Sequence, residues 1–331
     1  MTTRSWSILI NKEAFSVHRN LHIALKFLRS TENTRSLWIG AICIDQSDQS
    51  ERLHQVEMMG EIYKRAAVVL AWLGHPFDGS DEAMDLIEEI GTACMPGSNT
   101  QRRSFDTLAP YSAQVLQLFQ RDYWSRVWIV QEVAMATVDP LVGCGSKWVP
   151  WSTMFFGIFE LRSQFDMAKN ATCDPNELSL YAVCHAAIDN YLDLDNIRWS
   201  VKHGMLHQPR RAMGIKSNVL DLLWRTSDKH STDPRDRIYS LFGVLTPRKG
   251  GEKIASELDP DYSRSVRSVY IMVTKMVIRL DRDLEILHMR NHLPSASLPS
   301  WTPDFSSRML TIFPPLASTP LYPYCKSLAC R

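Results

Sequence analysis

The sequence predicts an α/β fold, with a parallel sheet flanked by helices and a mainly helical C-terminal half. Three observations carry this. Residues 36–44, SLWIGAICI, form an uncharged apolar run with β-branched and aromatic side chains, as in a strand buried on both faces. A helical pattern follows over 48–66. Val68–Leu73 is then a second apolar run stopped by Gly74, so 36–74 reads as a strand–helix–strand unit. Beyond residue 150 the periodicity is mainly helical.

The elements follow in order. Trp6–Ile10 reads as a strand, leading through a turn to a helix capped by Asn20 with Leu21, Ala24, Leu25 and Leu28 on its apolar face. The next helix starts with a capping box, Asp48 and Glu51. It buries Leu53, Val56, Met59, Tyr63 and Ala66, with Glu57, Glu61, Lys64 and Arg65 facing water. Residues 78–92 and 110–120 are helical, separated by a polar loop over 93–109 that carries Arg102 and Arg103. Residues 123–136, YWSRVWIVQEVAMA, form a helix with Ser125 as its cap, and Leu141–Cys144 is a short strand. Helices are expected at 150–166, 175–193, 217–227, 233–245 and 263–280, and a strand at 284–289. Asp233, Pro234 and Asp236 suit the first turn of the helix over 233–245. Residues 1–150 are expected to form the α/β core, 151–306 a helical extension packed on it, and 307–331 an irregular proline-rich tail.

Composition narrows the function. The 331 residues are 45% hydrophobic and 22% charged, which is ordinary for a globular chain. Lys plus Arg number 37 against 36 Asp plus Glu, so net charge points to neither nucleic acid nor a membrane. The seven cysteines contain no CxxC pair, so reduced thiols and no metal site are expected. The N-terminus lacks a signal-peptide core and no apolar run spans a bilayer, so a cytoplasmic location is expected.

The sequence holds no Walker A loop, no GxGxxG after a strand, no GxSxG and no HExxH. His203 and His207 read as surface histidines. Trp128 and Glu132 stand out, because they lie one helical turn apart in an otherwise apolar helix. A carboxylate so placed is either partly desolvated and fit for acid–base work, or neutralised by a cation such as Arg126 or Arg52. Asp45 and Gln46 follow the apolar run 36–44, where a ligand meets the ends of strands in open α/β sheets; equally, Asp45 suits a local turn. The tryptophans, including Trp38, Trp72 and Trp124, read as core.

The run LWIGAICIDQSDQSERLHQVEMMGEIYKRAAVVLAWLG, followed by YWSRVWIVQEVAMA, resembles the ordered blocks of the fungal heterokaryon incompatibility (HET) domain. DPRDRIYSLFGVL, PDYSRSVRSVYIMVTKMVI and LPSWTPDFS resemble the family's later blocks, in the same order. Gly40 departs from the usual Asp, and the family's opening strand, of the type Y-x-x-L-S-Y-x-W-G, has no counterpart here. The resemblance implies fungal self/non-self recognition, programmed cell death, and protein partners or self-association; no cofactor is expected, and the charge and the short apolar runs leave no nucleic acid or membrane among the expected partners. The spacing S-R-V-W-I-V-Q-E is also distantly similar to a block of TIR domains, which share a flavodoxin-like parallel sheet and in many cases cleave NAD. That likeness implies a second reading, a NAD hydrolase with NAD as substrate, Glu132 as catalytic group, and Asp45, Gln46 and Trp128 lining the nucleotide site. There a carboxylate stabilises the oxocarbenium-like ribose as nicotinamide leaves. A third reading is a truncated, inactive homologue.

Overall fold

The computed structural model describes residues 6–99, 111–171, 175–204, 218–245, 259–291, 297–307 and 309–310. The predicted arginine pair at 102–103, His207 and the tail beyond 310 lie outside them. The fold is mixed α/β and its second half is mainly helical. The chain divides into two compact units. One comprises Met1–Gln55, Ala66–Trp124 and Val138–Tyr191; the other comprises Val56–Arg65, Ser125–Thr137 and Leu192–Arg331.

The first unit opens with a hairpin. β1 (Trp6–Ile10) pairs antiparallel with β2 (Glu13–Val17), from Trp6↔Val17 to Ile10↔Glu13. Asn11 and Lys12 both adopt positive φ, the geometry that lets a two-residue turn follow strand twist. The expectation of a single strand here missed β2. Its side chains are nearly all exposed, so they show no apolar alternation. α1 (Arg19–Leu28) starts from His18 rather than Asn20. The chain leaves the hairpin at Val17, and the helix is already under way at Asn20.

The strand expected at 36–44 does not form. Ile39 is extended, but Gly40–Cys43 is a turn of helix, α2, in which Ile42 N and Cys43 N both donate to Ile39 O at 2.8 Å. Among the described residues no strand pairs with this segment, so its backbone groups bond locally, and of residues 36–44 only Ile44 is buried. α3 (Gln49–Arg65) follows with the predicted cap: Asp48 Oδ1 accepts from Ser50 N (2.8 Å) and Glu51 N (3.2 Å). The Glu51 carboxylate reaches back to Asp45 N at 3.2 Å rather than closing the box on Asp48 N.

β3 (Leu70–Gly74) pairs in parallel with β4 (Leu141–Cys144), and β4 pairs antiparallel with β5 (Lys147–Pro150), giving a three-stranded mixed sheet. α4 (Ser80–Cys94), α5 (Ser112–Phe119) and α8 (Trp151–Ala171) belong to this unit. α4 and α8 approach closely because Gly91 and Gly157 lack a Cβ: one on Gly91 would overlap the Thr153 carbonyl, and one on Gly157 the Ile87 carbonyl. Trp124, Trp151 and Tyr191 form a buried aromatic cluster, with Trp151 stacked on Tyr191 at 4.6 Å.

The single helix expected at 123–136, which belongs to the second unit only from Ser125 on, is broken. α6 (Asp122–Ser125) ends it early and α7 (Ile129–Ala134) resumes it. Between them Val127 N donates to His230 O (2.9 Å) and His230 N to Ser125 O (2.5 Å), so these groups pair sideways instead of along a helix. α9 (Pro175–Lys202) contributes its last turns here, followed by α10 (Asn218–Arg225). The helix expected at 233–245 is two short ones, α11 (Asp236–Tyr239) and α12 (Phe242–Leu245), with Asp233 Oδ1 accepting from Arg235 N at 3.0 Å. α13 (Val266–Asp281) begins at Ser265, which accepts from Ser268 N, and buries Val269, Val273 and Val277. The strand expected at 284–289 is a 3₁₀ turn at Glu285–His288, because Leu287 N and Met289 N bond back to Leu284 O and Ile286 O. No helix among the described residues is long and apolar enough to cross a membrane.

Candidate functional site

Trp128 and Glu132 sit at either end of one turn of α7, with Glu132 N bonded to Trp128 O. Their side chains have different partners. The Glu132 carboxylate lies 3.7 Å from Arg126 Nη2 and is 12% exposed, whereas Arg126 is 56% exposed. Tyr63, from α3, also bonds to Glu132. Burial pushes the Tyr63 phenol well up, and the neighbouring Glu132 charge adds to this. The cation anticipated from sequence is therefore Arg126, helped by a phenol that sequence reading took for a simple core residue.

The Trp128 indole Nε1 instead donates to Asp236 Oδ2 at 3.4 Å. The other oxygen, Asp236 Oδ1, accepts from the Tyr262 hydroxyl at 2.6 Å. Asp236 is buried, and two donors from distant segments stabilise its carboxylate. Three of the sequence blocks singled out above thus meet at one carboxylate: that of Trp128, that of Asp236 and that of Tyr262.

Arginines tie the surrounding loops together. Arg235 grips Asp233 with Nε and Nη2 (3.0 and 2.8 Å), and its Nη1 donates to Tyr262 O and Arg264 O. Arg237 is buried with no carboxylate opposite; it donates to Phe305 O and Ser227 O, both at 2.8 Å, and to Lys229 O. Burial lowers its pKa from the usual guanidinium value. Arg198 Nη1 donates to Val133 O (2.8 Å) and Ala136 O (2.7 Å), at the carbonyl end of α7 where a cation suits the helix dipole.

Two further polar groups are deeply buried. Lys229 is 1% exposed, with Asp228 at 3.6 Å and no hydrogen bond to its Nζ; burial pulls its pKa down to about 8. Gln131 is fully buried, and neither atom of its amide has a hydrogen-bond partner. It fills the space over Gly243, where a Cβ would come within 3.0 Å of the amide. Gly243 in turn backs onto Gly60 of α3.

Asp45 and Gln46 belong to the first unit and are exposed. Asp45 closes a turn by accepting from Ser47 N (2.9 Å) and Ser47 Oγ (2.6 Å), bonds that hold its carboxyl below the usual range. Gln46 Nε2 donates to Gly40 O at 3.4 Å. His203 stacks on Trp199 and bonds its carbonyl. Among the described residues no group of His, Cys, Asp and Glu is arranged to hold a metal, and Cys43, Cys94 and Cys144 form no disulfide.

Sequence reading missed Tyr63, Arg198, Arg235, Arg237, Lys229 and Tyr262 as members of this network. Several have polar neighbours in sequence, Asp228 and His230 around Lys229 and Asp261 and Ser263 around Tyr262, so nothing local marks them as buried.

Residues 1–132 match the family described as Heterokaryon incompatibility protein (HET). The chain is also similar to "Heterokaryon incompatibility protein 6, OR allele" of Neurospora crassa, with 24% identity over 340 residues covering 88% of this chain and 48% of that protein. The chain therefore spans about half the length of this curated relative. No solved structure matches. The family match ends at Glu132, the carboxylate held by Arg126 and Tyr63, so it is the first 132 residues of this chain that are similar to a heterokaryon incompatibility (HET) domain.

Proposed function

We propose that this chain acts in fungal heterokaryon incompatibility, in the cytoplasm, triggering programmed cell death through protein assembly rather than through chemistry at Glu132. The observation that supports this is the setting of Glu132. Its carboxylate faces an arginine and a phenol, and the neighbouring Trp128 is engaged by Asp236. A group so neutralised serves to position α7. To stabilise an oxocarbenium-like ribose it would have to be released from Arg126 first.

The test is expression of this chain in a fungal host, following viability, cellular NAD and oligomeric state, beside Glu132→Gln and Arg126→Ala. Killing with constant NAD and with larger assemblies is the expected outcome, and Glu132→Gln should lose toxicity only as far as its melting temperature falls. If NAD drops before viability, and Glu132→Gln stops that drop without changing the melt, the hydrolase reading replaces this one. A chain that folds yet never kills is an inactive homologue.

A further inference from the structure

We propose that the outer face of α1, with the β1–β2 hairpin beside it, docks this chain on an anionic lipid surface. Arg19, His22, Lys26 and Arg29 recur at spacings of three and four, so they share one side of the helix. The buried positions, Ala24 and Leu28, lie on the opposite side. Arg19, Lys26 and Arg29 are exposed, as is Lys12 at the hairpin turn. Among the described residues none of these four cations has an ion pair. By contrast Lys64, Arg65, Lys147, Arg225 and Arg264 each pair with a carboxylate, although exposed Arg267, Lys275 and Arg282 do not.

The arrangement costs the fold something. α1 contains no acidic residue, Arg19 stands at the positive end of the helix dipole, and Lys26 and Arg29 are like charges three apart. Over residues 6–35 the cations Lys12, Arg19, Lys26, Arg29 and Arg35 face only Glu13 and Glu32, whereas the whole chain carries +1. The near-zero total hides this local excess, which is why composition alone argued against a membrane surface.

An apolar element lies next to the cations. Trp6 of β1 packs against His22 at 5.0 Å, which fixes the hairpin beside the basic side of the helix. Among the described residues the hairpin has no third strand; it exposes Leu9, at 77%, on the face turned away from Trp6, and Phe15 on the face that Trp6 shares. Cations at phosphate level flanked by apolar side chains that enter the acyl boundary are what an interfacial protein presents to an acidic bilayer. An acidic protein segment would use the cations and leave Leu9 in water.

The test is flotation of the chain with vesicles of phosphatidylcholine and phosphatidylserine in equal parts, against phosphatidylcholine alone. Binding to the acidic vesicles only, released by salt, is expected. Lys26→Glu and Arg29→Glu should each weaken it about fivefold or more, as expected for loss of one cation near the surface. Leu9→Ser should weaken binding at constant charge. Arg19→Glu separates binding from folding, because it should lower binding while the melting temperature stays level or rises. Equal binding to both vesicles, or binding unmoved by charge reversal, overturns the proposal. So does capture by polyglutamate without vesicle binding, which assigns the face to an acidic protein. None of these outcomes depends on whether the chain kills cells.

Discussion

Residues 36–46 and 227–239 treat polarity in opposite ways. The first stretch is apolar and uncharged up to Asp45, yet Leu37, Ala41 and Cys43 are exposed and its backbone curls into one helical turn. The second stretch carries Asp228, Lys229, Asp233, Arg235, Asp236 and Arg237, yet Lys229, Asp236 and Arg237 are buried. For Asp236 and Arg237 the difference lies in partners, whereas Lys229 Nζ makes no hydrogen bond and is buried at a cost. Arg237 finds three carbonyls, Asp236 finds an indole and a phenol, and Arg235 finds a carboxylate and two carbonyls. The 36–44 backbone has no neighbouring strand among the described residues. A buried charge that is fully bonded is tolerated, whereas an apolar strand without a ladder is not formed.

Three substitutions sharpen this comparison. Arg237→Met should destabilise the fold most, by roughly 3–5 kcal/mol, because it strands three buried carbonyls at once; chemical denaturation measures it, and a loss under about 1 kcal/mol would mean those carbonyls find water instead. Lys229→Met should act in the opposite direction. The folded-state pKa of about 8 lies below the ordinary 10.5, so the unfolded chain binds the proton more tightly and the lysine penalises folding at neutral pH. That penalty is complete below about 8 and disappears as pH rises toward 10.5. The variant should therefore be more stable at pH 7, by at most about 3 kcal/mol. Its advantage should shrink between those two values; an advantage independent of pH would remove titration of Lys229 as the cause. Leu37→Ser should change stability by less than about 0.5 kcal/mol, since the side chain is already exposed. A larger loss in thermal melts would show that 36–44 is covered in solution.

What the sequence made legible were features decided within a few residues. The Asp48 cap, β4 at Leu141–Cys144 and the starts of α8 and α9 rest on local periodicity and capping chemistry, and they formed as expected. Breaks in the predicted helices were not legible. The one at Ser125–Val127 depends on His230, more than a hundred residues later. The site divides in the same way. Trp128 and Glu132 drew notice because two unusual side chains recur at helical spacing. Asp236 and Tyr262 become their neighbours only through folding, and nothing in a linear pattern pairs an indole with a carboxylate 108 positions away. β2 was missed because an exposed hairpin strand has no apolar face to betray it.

The glycine seam between α4 and α8 bears on how mutants of this chain are to be interpreted. Any side chain at Gly91 or Gly157 would drive one helix backbone into the other. A genetic screen for loss of function will therefore recover both positions readily, with a severity that rivals damage to a reactive centre. Neither glycine has a side chain to donate, accept or ionise. Intolerance to substitution maps the helices' closest approach as faithfully as it would map chemistry, and only a paired measurement of folded protein level tells the two apart.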